Sequence, residues 1–441
     1  MTGLEWLCIG MLVSFFVLLM MGIPVALTLG TVGFVFGFIG FGTGLFNLLP
    51  ARIYGVVANY QWLAIPLFVF MGVMLEKSRL ADDLLDVVGH LAGGLRGGMA
   101  IGIIMVGVLM GATTGIVGAT VITLGLLTLP TLLRRGYDPA ISCGAICASG
   151  TLGQIIPPSL VLILLSDIMQ LSVGTLFAAA VLPGLLLAAL YCAWIAVNGL
   201  LRPGSMPAVP QAERDALSRA ELWLRVVKVA LPPLALVLAV LGSIIAGIAA
   251  PTEAASMGAL GSIFVVGLAR RLSLAVLRDV MQSTLRISAM VLFILICSQV
   301  FSLAFRGLHG EQLIQDLFAA LPGGTAAAIW FLMALIFVLG FFIEWIEISY
   351  IAVPLFLPIF VAANVDMVWL AMLITVNLQT SFLTPPFGWA LFFLRGVAPP
   401  QITTRHIYLG VIPFIAVQLV GLLLVFLFPA VATSLPKAIG W

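Results

Sequence analysis

Apolar stretches of bilayer length recur along the chain, near 4–21, 24–43, 60–76, 140–166 and 172–199, then near 229–247, 251–269, 286–305, 367–394 and 407–429. A hydrocarbon core takes about 20 helical residues, so each stretch predicts one crossing. Two longer stretches, 99–133 and 324–362, exceed a single span. Each has small or polar residues at its centre, GATTGIVGAT at 111–120 and GFFIEWIEIS at 340–349. Such groups suit a buried hairpin tip better than a lipid-facing helix. The pattern predicts an all-α polytopic membrane protein with ten crossings and two re-entrant helical hairpins.

The two sets of stretches also match in sequence. Pro157-Pro158 and Pro385-Pro386 are 228 residues apart, as are Pro130 and Pro358, and Asp138 and Asp366. Pro24 and Pro251 are 227 apart. These matches read as an internal duplication. The first repeat is residues 1–199, with hairpin 99–133 and broken helix 140–166. The second is 229–441, with hairpin 324–362 and broken helix 367–394. Between them, 200–228 is rich in Pro and Ser, then charged, and reads as a cytoplasmic linker.

Composition excludes a soluble protein. The chain is 63% hydrophobic and 8% charged, against about a quarter charged in soluble domains. No Lys or Arg precedes Arg52, so the first 21 residues read as a retained membrane helix rather than a secretory signal. Five crossings per half make the halves an inverted repeat. With the N-terminus outside, sixteen Lys and Arg residues fall inside and only Arg52, Arg306 and Lys437 outside. That is a strong positive-inside bias. Paired full spans would preserve the same parity, so charge fixes orientation and not re-entrance.

Candidate chemistry centres on the proline pairs. Pro157 and Pro158 exclude the carbonyls of Gly153 and Gln154 from helical bonding, and Pro385 and Pro386 exclude those of Ser381 and Phe382. Two broken helices at matching positions of two halves point to a transport site. Around the breaks lie Ser149, Thr151, Gln154 and Ser159, and Asn377, Gln379, Thr380, Ser381 and Thr384. Hard oxygen donors of this kind suit Na⁺. The competing reading is an ordinary proline kink with hydroxyls bonded back to the helix.

At the first tip, Thr113, Thr114, Gly115, Gly118 and Thr120 permit close backbone approach, or simple helix packing. The second tip holds Glu344 and Glu347. A mid-bilayer charge costs about 3 kcal/mol on insertion scales, so these acids are cation ligands, fold determinants or shallow, wetted groups. Glu253, in the first turn after Pro251, predicts a helix cap. Cys143 and Cys147 lack an accompanying His and read as buried thiols. Asp82, Asp83 and Asp86 spell the DDxxD of diphosphate-binding prenyltransferases without a second acidic cluster, and 76–98 reads as an interfacial amphipathic helix. No Gly-Lys pair offers a Walker A motif, so an ion gradient is the expected energy source.

These residues resemble the large membrane subunit (DctM family) of tripartite ATP-independent periplasmic (TRAP) transporters. The likeness runs through GIPVALTLG (22–30), AIPLFVFMGVML (64–75), GATTGIVGATVITLGLLTLP (111–130), GYDPAISCGAICASGTLGQIIPPSLVLILLSD (136–167), GIAAPTEAASMGAL (247–260) and SFLTPPFGWALFFLRGVAP (381–399). The resemblance implies an elevator-type transporter, with scaffold and transport domains, in a bacterial inner membrane. It implies Na⁺ as coupling ion, no cofactor and no nucleic-acid partner. It also implies a separate small four-helix membrane subunit (DctQ-like) and a periplasmic binding protein (DctP-like). Carried over, Thr113, Thr114 and Gly115 face Ser149, Gly150 and Thr151 as one cation site, and Glu347 joins Asn377, Thr380 and Ser381 as the other. Substrate lies between the breaks, at Gln154, Pro157, Pro158 and Ser159 and at Thr384, Pro385 and Pro386. Many members have a Ser-Gly-Ser first tip where this chain has Thr114-Gly115-Ile116, which removes one hydroxyl. The TTGIVGAT and FFIEWIEISY variants resemble the branch associated with 2-oxo acids and similar carboxylates. The rival classes are a stand-alone proton-coupled anion permease and a membrane prenyltransferase.

Overall fold

The computed structural model describes residues 3–77, 84, 94–115, 117–209, 219–319, 323–385 and 388–441. Every regular element among them is helical. Eight of these helices are individually long and apolar enough to cross a membrane. The DDxxD motif lies outside the described residues, as do 210–218 of the linker. The linker's end is already helix, because Arg219–Ile245 starts within it and runs on into the next span.

Elements recur at the spacing of the prolines. Val25–Phe41 follows Pro24, and Pro251–Leu268 begins at Pro251. The first hairpin is Gly98–Thr114 with Val117–Arg134, and the second is Gly324–Leu339 with Trp345–Ala362. The arms of each hairpin touch. The first broken helix is Pro139–Thr151 with Leu160–Ile168, and the second is Met367–Leu383 with Trp389–Val397. Each half then has a long helix, Val173–Leu201 or Thr404–Leu427. Pro130 and Pro358 both lie inside second hairpin arms.

The helix starts match atom for atom. Asp138 Oδ1 accepts from the Ala140 and Ile141 N–H groups at 2.8 and 3.1 Å. Asp366 Oδ1 accepts from Val368 and Trp369 at 2.9 and 3.1 Å. An N-cap satisfies donors the helix leaves open. Asp138→Ala and Asp366→Ala should therefore each lower stability by about 1 kcal/mol, to similar extents, as read by thermal unfolding in detergent. Glu253 also caps, its Oε2 accepting from the Ala250 N–H at 2.9 Å.

Packing between the halves is reciprocal. Val25–Phe41 packs on Leu274–Gly307, and Pro251–Leu268 packs on Ala64–Lys77. Thr404–Leu427 packs on Pro139–Thr151, and Val173–Leu201 on Met367–Leu383. The second arm of each hairpin lies on the post-break helix of the other half. Two groups result. One holds the hairpins, the broken helices and the long helices that follow them. The other holds the helices before the hairpins, packed mainly among themselves.

Two elements depart from the apolar pattern. Gly44–Val57 is a helix of its own and meets the next segment at 47°. Asn47, Pro50 and Arg52 dilute its hydropathy below that of a span. Leu274–Gly307 is 34 residues long, well beyond the apolar stretch 286–305, because its first turns mix apolar residues with the exposed Arg278, Asp279 and Gln282.

Candidate functional site: two helix breaks and two hairpin tips

The broken helices form the centre of the protein. Every residue from 142 to 151 and from 370 to 383 is buried. A helix buried on all sides keeps its polar groups only where they have work or partners.

At each break one freed carbonyl, that of Gln154 or of Ser381, finds a local donor. After Thr151 the chain tightens into a 3₁₀ turn, Leu152–Gln154, and leaves the helix at the two prolines. The Ser159 hydroxyl donates to the Gln154 carbonyl. In the second half the Thr384 N–H donates to the Ser381 carbonyl at 3.2 Å, and the Thr384 hydroxyl to the Thr380 carbonyl at 2.9 Å. Pro385 follows, and Gly388 has φ +22° before the helix resumes at Trp389. A carbonyl oxygen carries two lone pairs, so one acceptor position on each of these carbonyls is still open. Pro386 and the side chain of Thr114 lie outside the described residues.

The hydroxyls are all oriented alike. Thr113 donates to the Met110 carbonyl at 2.8 Å, Ser149 to Ile146 at 2.8 Å and Thr151 to Ala148 at 2.9 Å. Thr380 donates to Val376 at 3.0 Å and Ser381 to Leu378 at 2.7 Å. Back-bonding of this kind uses the proton and leaves oxygen lone pairs outward. Kinked-helix packing and cation coordination are thus compatible uses of the same atoms.

Each hairpin tip packs on the break of its own half. Gly115 ends the first arm at φ +60°, where a side chain is strained. A Cβ built on it would lie 3.4 Å from the Pro158 carbonyl oxygen. A Cβ on Gly107 would lie 2.6 Å from Ser149 Cβ, and one on Gly111 2.5 Å from Gly153 Cα. In the second half a Cβ on Gly340 would overlap Ser381 Cβ and Oγ. The Asn377 amide nitrogen donates to the Met333 carbonyl at 2.6 Å, so this nitrogen is committed to the hairpin and only its oxygen is available as a ligand.

The pairing of the first tip differs from the expected one. Gly115 lies against Pro158, Ser159 and Leu160, whereas Ser149 faces Gly107 and Gly150 faces Val121. The arm runs alongside the broken helix, so the tip itself passes beyond Ser149 and Thr151 and meets the proline break.

The broken helices and the second hairpin carry buried polar atoms without partners among the described residues. Glu347 is 3% exposed, in the first turn of Trp345–Ala362. Its Oε2 has no hydrogen-bond partner among the described residues, nor have both amide atoms of Gln154, Gln379 Oε1 and the Tyr350 hydroxyl. Such atoms cost about 1–3 kcal/mol each if nothing meets them. Water or cargo is the expected partner.

One contact joins the halves at the centre. Gln379 Nε2 donates to Thr151 Oγ1 at 3.3 Å, and these residues are 228 apart. Tyr191 and Gln418, 227 apart, make a second such contact, the hydroxyl donating to Oε1 at 2.6 Å. Positions related by the repeat spacing thus touch each other.

The chain matches the family described as "Tripartite ATP-independent periplasmic transporter, DctM component" over residues 12–431. It is 32% identical over 398 residues to the C4-dicarboxylate TRAP transporter large permease protein DctM of Pseudomonas aeruginosa, covering 89% of this chain and 90% of that protein. The chain belongs to the DctM family.

A further DctM-type relative, the ectoine TRAP transporter large permease TeaC of Halomonas elongata, is 27% identical and spans 95% of this chain and 96% of its own. Both relatives are named as permeases rather than enzymes. Among solved structures the fold is shared with the Alcanivorax borkumensis YdaH transporter, at a TM-score of 0.60 and 16% identity over 89% of this chain and 90% of that one. In this DctM component Gly107, Gly111 and Gly340 are the positions whose lack of a side chain lets the hairpins approach the broken helices closely. Their sequence signal is only a small residue on an apolar helix. Tyr191 and Gln418 had a clearer one, since the proline spacing relates them.

Proposed function

We propose that this DctM component imports a small organic acid, of the 2-oxo acid or related carboxylate class, driven by Na⁺. Two inverted halves would each supply one hairpin, one broken helix and one cation site, in a transport domain that moves against the remaining helices. The observation carrying this reading is the packing of each hairpin tip on the break of its own half, beside the buried hydroxyls of Ser159 and Ser381. The reciprocal packing between halves supports the inverted repeat. Partners are a small DctQ-like membrane subunit and a periplasmic DctP-like binding protein, in a bacterial inner membrane with the N-terminus outside. The named relatives carry C4-dicarboxylates in one case and ectoine in another, so the permease frame serves different cargo. Each Na⁺ entering through 100 mV supplies about 2.3 kcal/mol, and two would supply enough to accumulate a small anion.

The second reading is a stand-alone proton-coupled permease. Glu347, the one carboxylate among the proposed cation ligands, is the observation that favours it. Reconstitution separates the two. Proteoliposomes with and without the small subunit and the binding protein are given an inward Na⁺ or an inward proton gradient, and a panel of C4-dicarboxylates and 2-oxo acids. Uptake requiring Na⁺ and all three proteins supports the proposal. Uptake by this chain alone under a pH gradient sinks it.

A further inference from the structure

A separate polar chamber lies where the two helix groups meet. It is about 150 Å³ in volume, and its walls include Arg52, Arg306, Tyr350, Asp167, Ser298 and Gln170. Arg52 comes from Gly44–Val57, and Arg306 and Ser298 from Leu274–Gly307, both in the group before the hairpins. Tyr350 comes from the second hairpin, and Asp167 from the end of the first broken helix. A larger cavity of about 430 Å³ shares Asp167 and Gln170 with it.

The polar groups of the chamber are unequally used. Arg306 Nε meets Glu311 Oε1 at 3.0 Å, and its terminal nitrogens have no partner among the described residues. Arg52 has no ion pair or hydrogen bond among them either. Tyr350 is 6% exposed, and its hydroxyl is a buried donor without a partner among the described residues. Ser298 donates back to the Leu295 carbonyl at 2.8 Å, and the Gln170 amide to the Asp167 carbonyl at 2.6 Å. Asp167 Oδ1 accepts from Asn59 Nδ2 at 2.8 Å. Two guanidinium groups and a phenol are donors converging on one small space, and one carboxylate stands on its wall. Arginine presents a planar fork of donors that matches a carboxylate.

We propose that this chamber receives the carboxylate group of the cargo before it reaches the breaks, held by Arg52, the terminal nitrogens of Arg306 and the Tyr350 hydroxyl. The assignment rests on the reading of the chain as an organic-acid importer. Arg52 and Arg306 are two of the three cations that the charge distribution leaves on the outer face, so the chamber opens toward the side from which cargo arrives. Asp167 sets a limit on charge. It repels a second carboxylate, so the chamber takes one acid group at a time.

The test uses the three-protein proteoliposomes and the acid carried best in the panel. Arg52→Gln should raise the half-saturating acid concentration on the outside about tenfold, the loss expected for a hydrogen bond to a charged group. Arg52→Lys should recover part of it. Tyr350→Phe should raise it about threefold to tenfold. Asp167→Asn keeps the contact to Asn59 and should lower it. Half-saturation for acid presented from inside should stay within about twofold throughout, since a receiving site acts on the entering side. The proposal is overturned if Arg52→Gln leaves outside half-saturation unchanged, if inside and outside shift alike, or if Asp167→Asn weakens binding. It is also overturned if Arg52→Gln acts and the buried Tyr350→Phe does not, because Arg52 is then a docking residue for the binding protein. If the unmodified complex carries no organic acid, the functional reading itself falls and the chamber loses its ligand with it.

Discussion

Gly340→Val should abolish uptake. A Cβ on Gly340 already overlaps Ser381 Cβ and Oγ, and valine adds two methyl groups in a place where both partners are backbone-anchored. Ser381 is fully buried in Met367–Leu383, so it has nowhere to retreat. Overpacking of this kind costs about 1–3 kcal/mol. The functional loss should be larger, about a hundredfold in rate, because moving a binding group by about 1 Å is enough for that. A paired change separates packing from ligation. Gly340→Ala with Ser381→Gly adds a methyl group on one helix and removes the hydroxymethyl group it would meet on the other. Thermal unfolding should show the double variant recovering most of the stability lost by Gly340→Ala, with a coupling energy of at least about 0.5 kcal/mol. Na⁺ dependence should stay impaired, because the Ser381 hydroxyl is gone. Normal uptake by Gly340→Val would mean that the second tip does not work against this break.

Glu347→Gln should give the opposite signature, with stability retained and coupling lost. The carboxylate is buried and its Oε2 has no partner among the described residues, so the fold alone gains little from its charge. Its position in the first turn of Trp345–Ala362 places it at the positive end of that helix, which eases the charge without giving the free oxygen a partner. In the proposed site a cation would supply that partner. Replacing a charged ligand by its neutral isostere should raise half-saturating Na⁺ about thirtyfold, within the range for hydrogen bonds to charged groups. Glu347→Asp should recover part of the loss. Melting temperature should stay level or rise. Unchanged Na⁺ affinity would remove Glu347 from the site. A variant that loses its response to a proton gradient and ignores Na⁺ would favour the proton-coupled reading.

The breaks and hairpins were legible because they violate the rules for a lipid-facing helix. Proline pairs and mid-span acids are expensive in a bilayer, so the recurrence of the prolines at 228 residues and the two acids of the second tip carry information that apolar residues cannot. Asp138 and Asp366 were visible by the same spacing and turned out to be matching caps. The helix Gly44–Val57 was not, because Asn47, Pro50 and Arg52 lower its hydropathy and it lies at an angle to its neighbour. Nor was the partner of the first tip. Which residue of one helix meets which of another depends on how far the arm slides along it, and Gly107, Gly111 and Gly115 carry no side chain that records the register. The Arg52 and Arg306 chamber was hidden for a related reason. Its walls come from four helices spread between residues 44 and 362, and charge placement alone had marked the two arginines only as outer-face cations.

If each half of this DctM component builds one coupling-cation site where its hairpin tip meets its helix break, initial uptake by the complete reconstituted transporter should depend on Na⁺ along a sigmoidal curve, with a Hill coefficient above one. In a variant carrying both Thr380→Ala and Ser381→Ala it should become hyperbolic and move to higher Na⁺. Uptake that is indifferent to Na⁺, or a curve that the double substitution leaves unchanged, would mean that no such pair of sites exists.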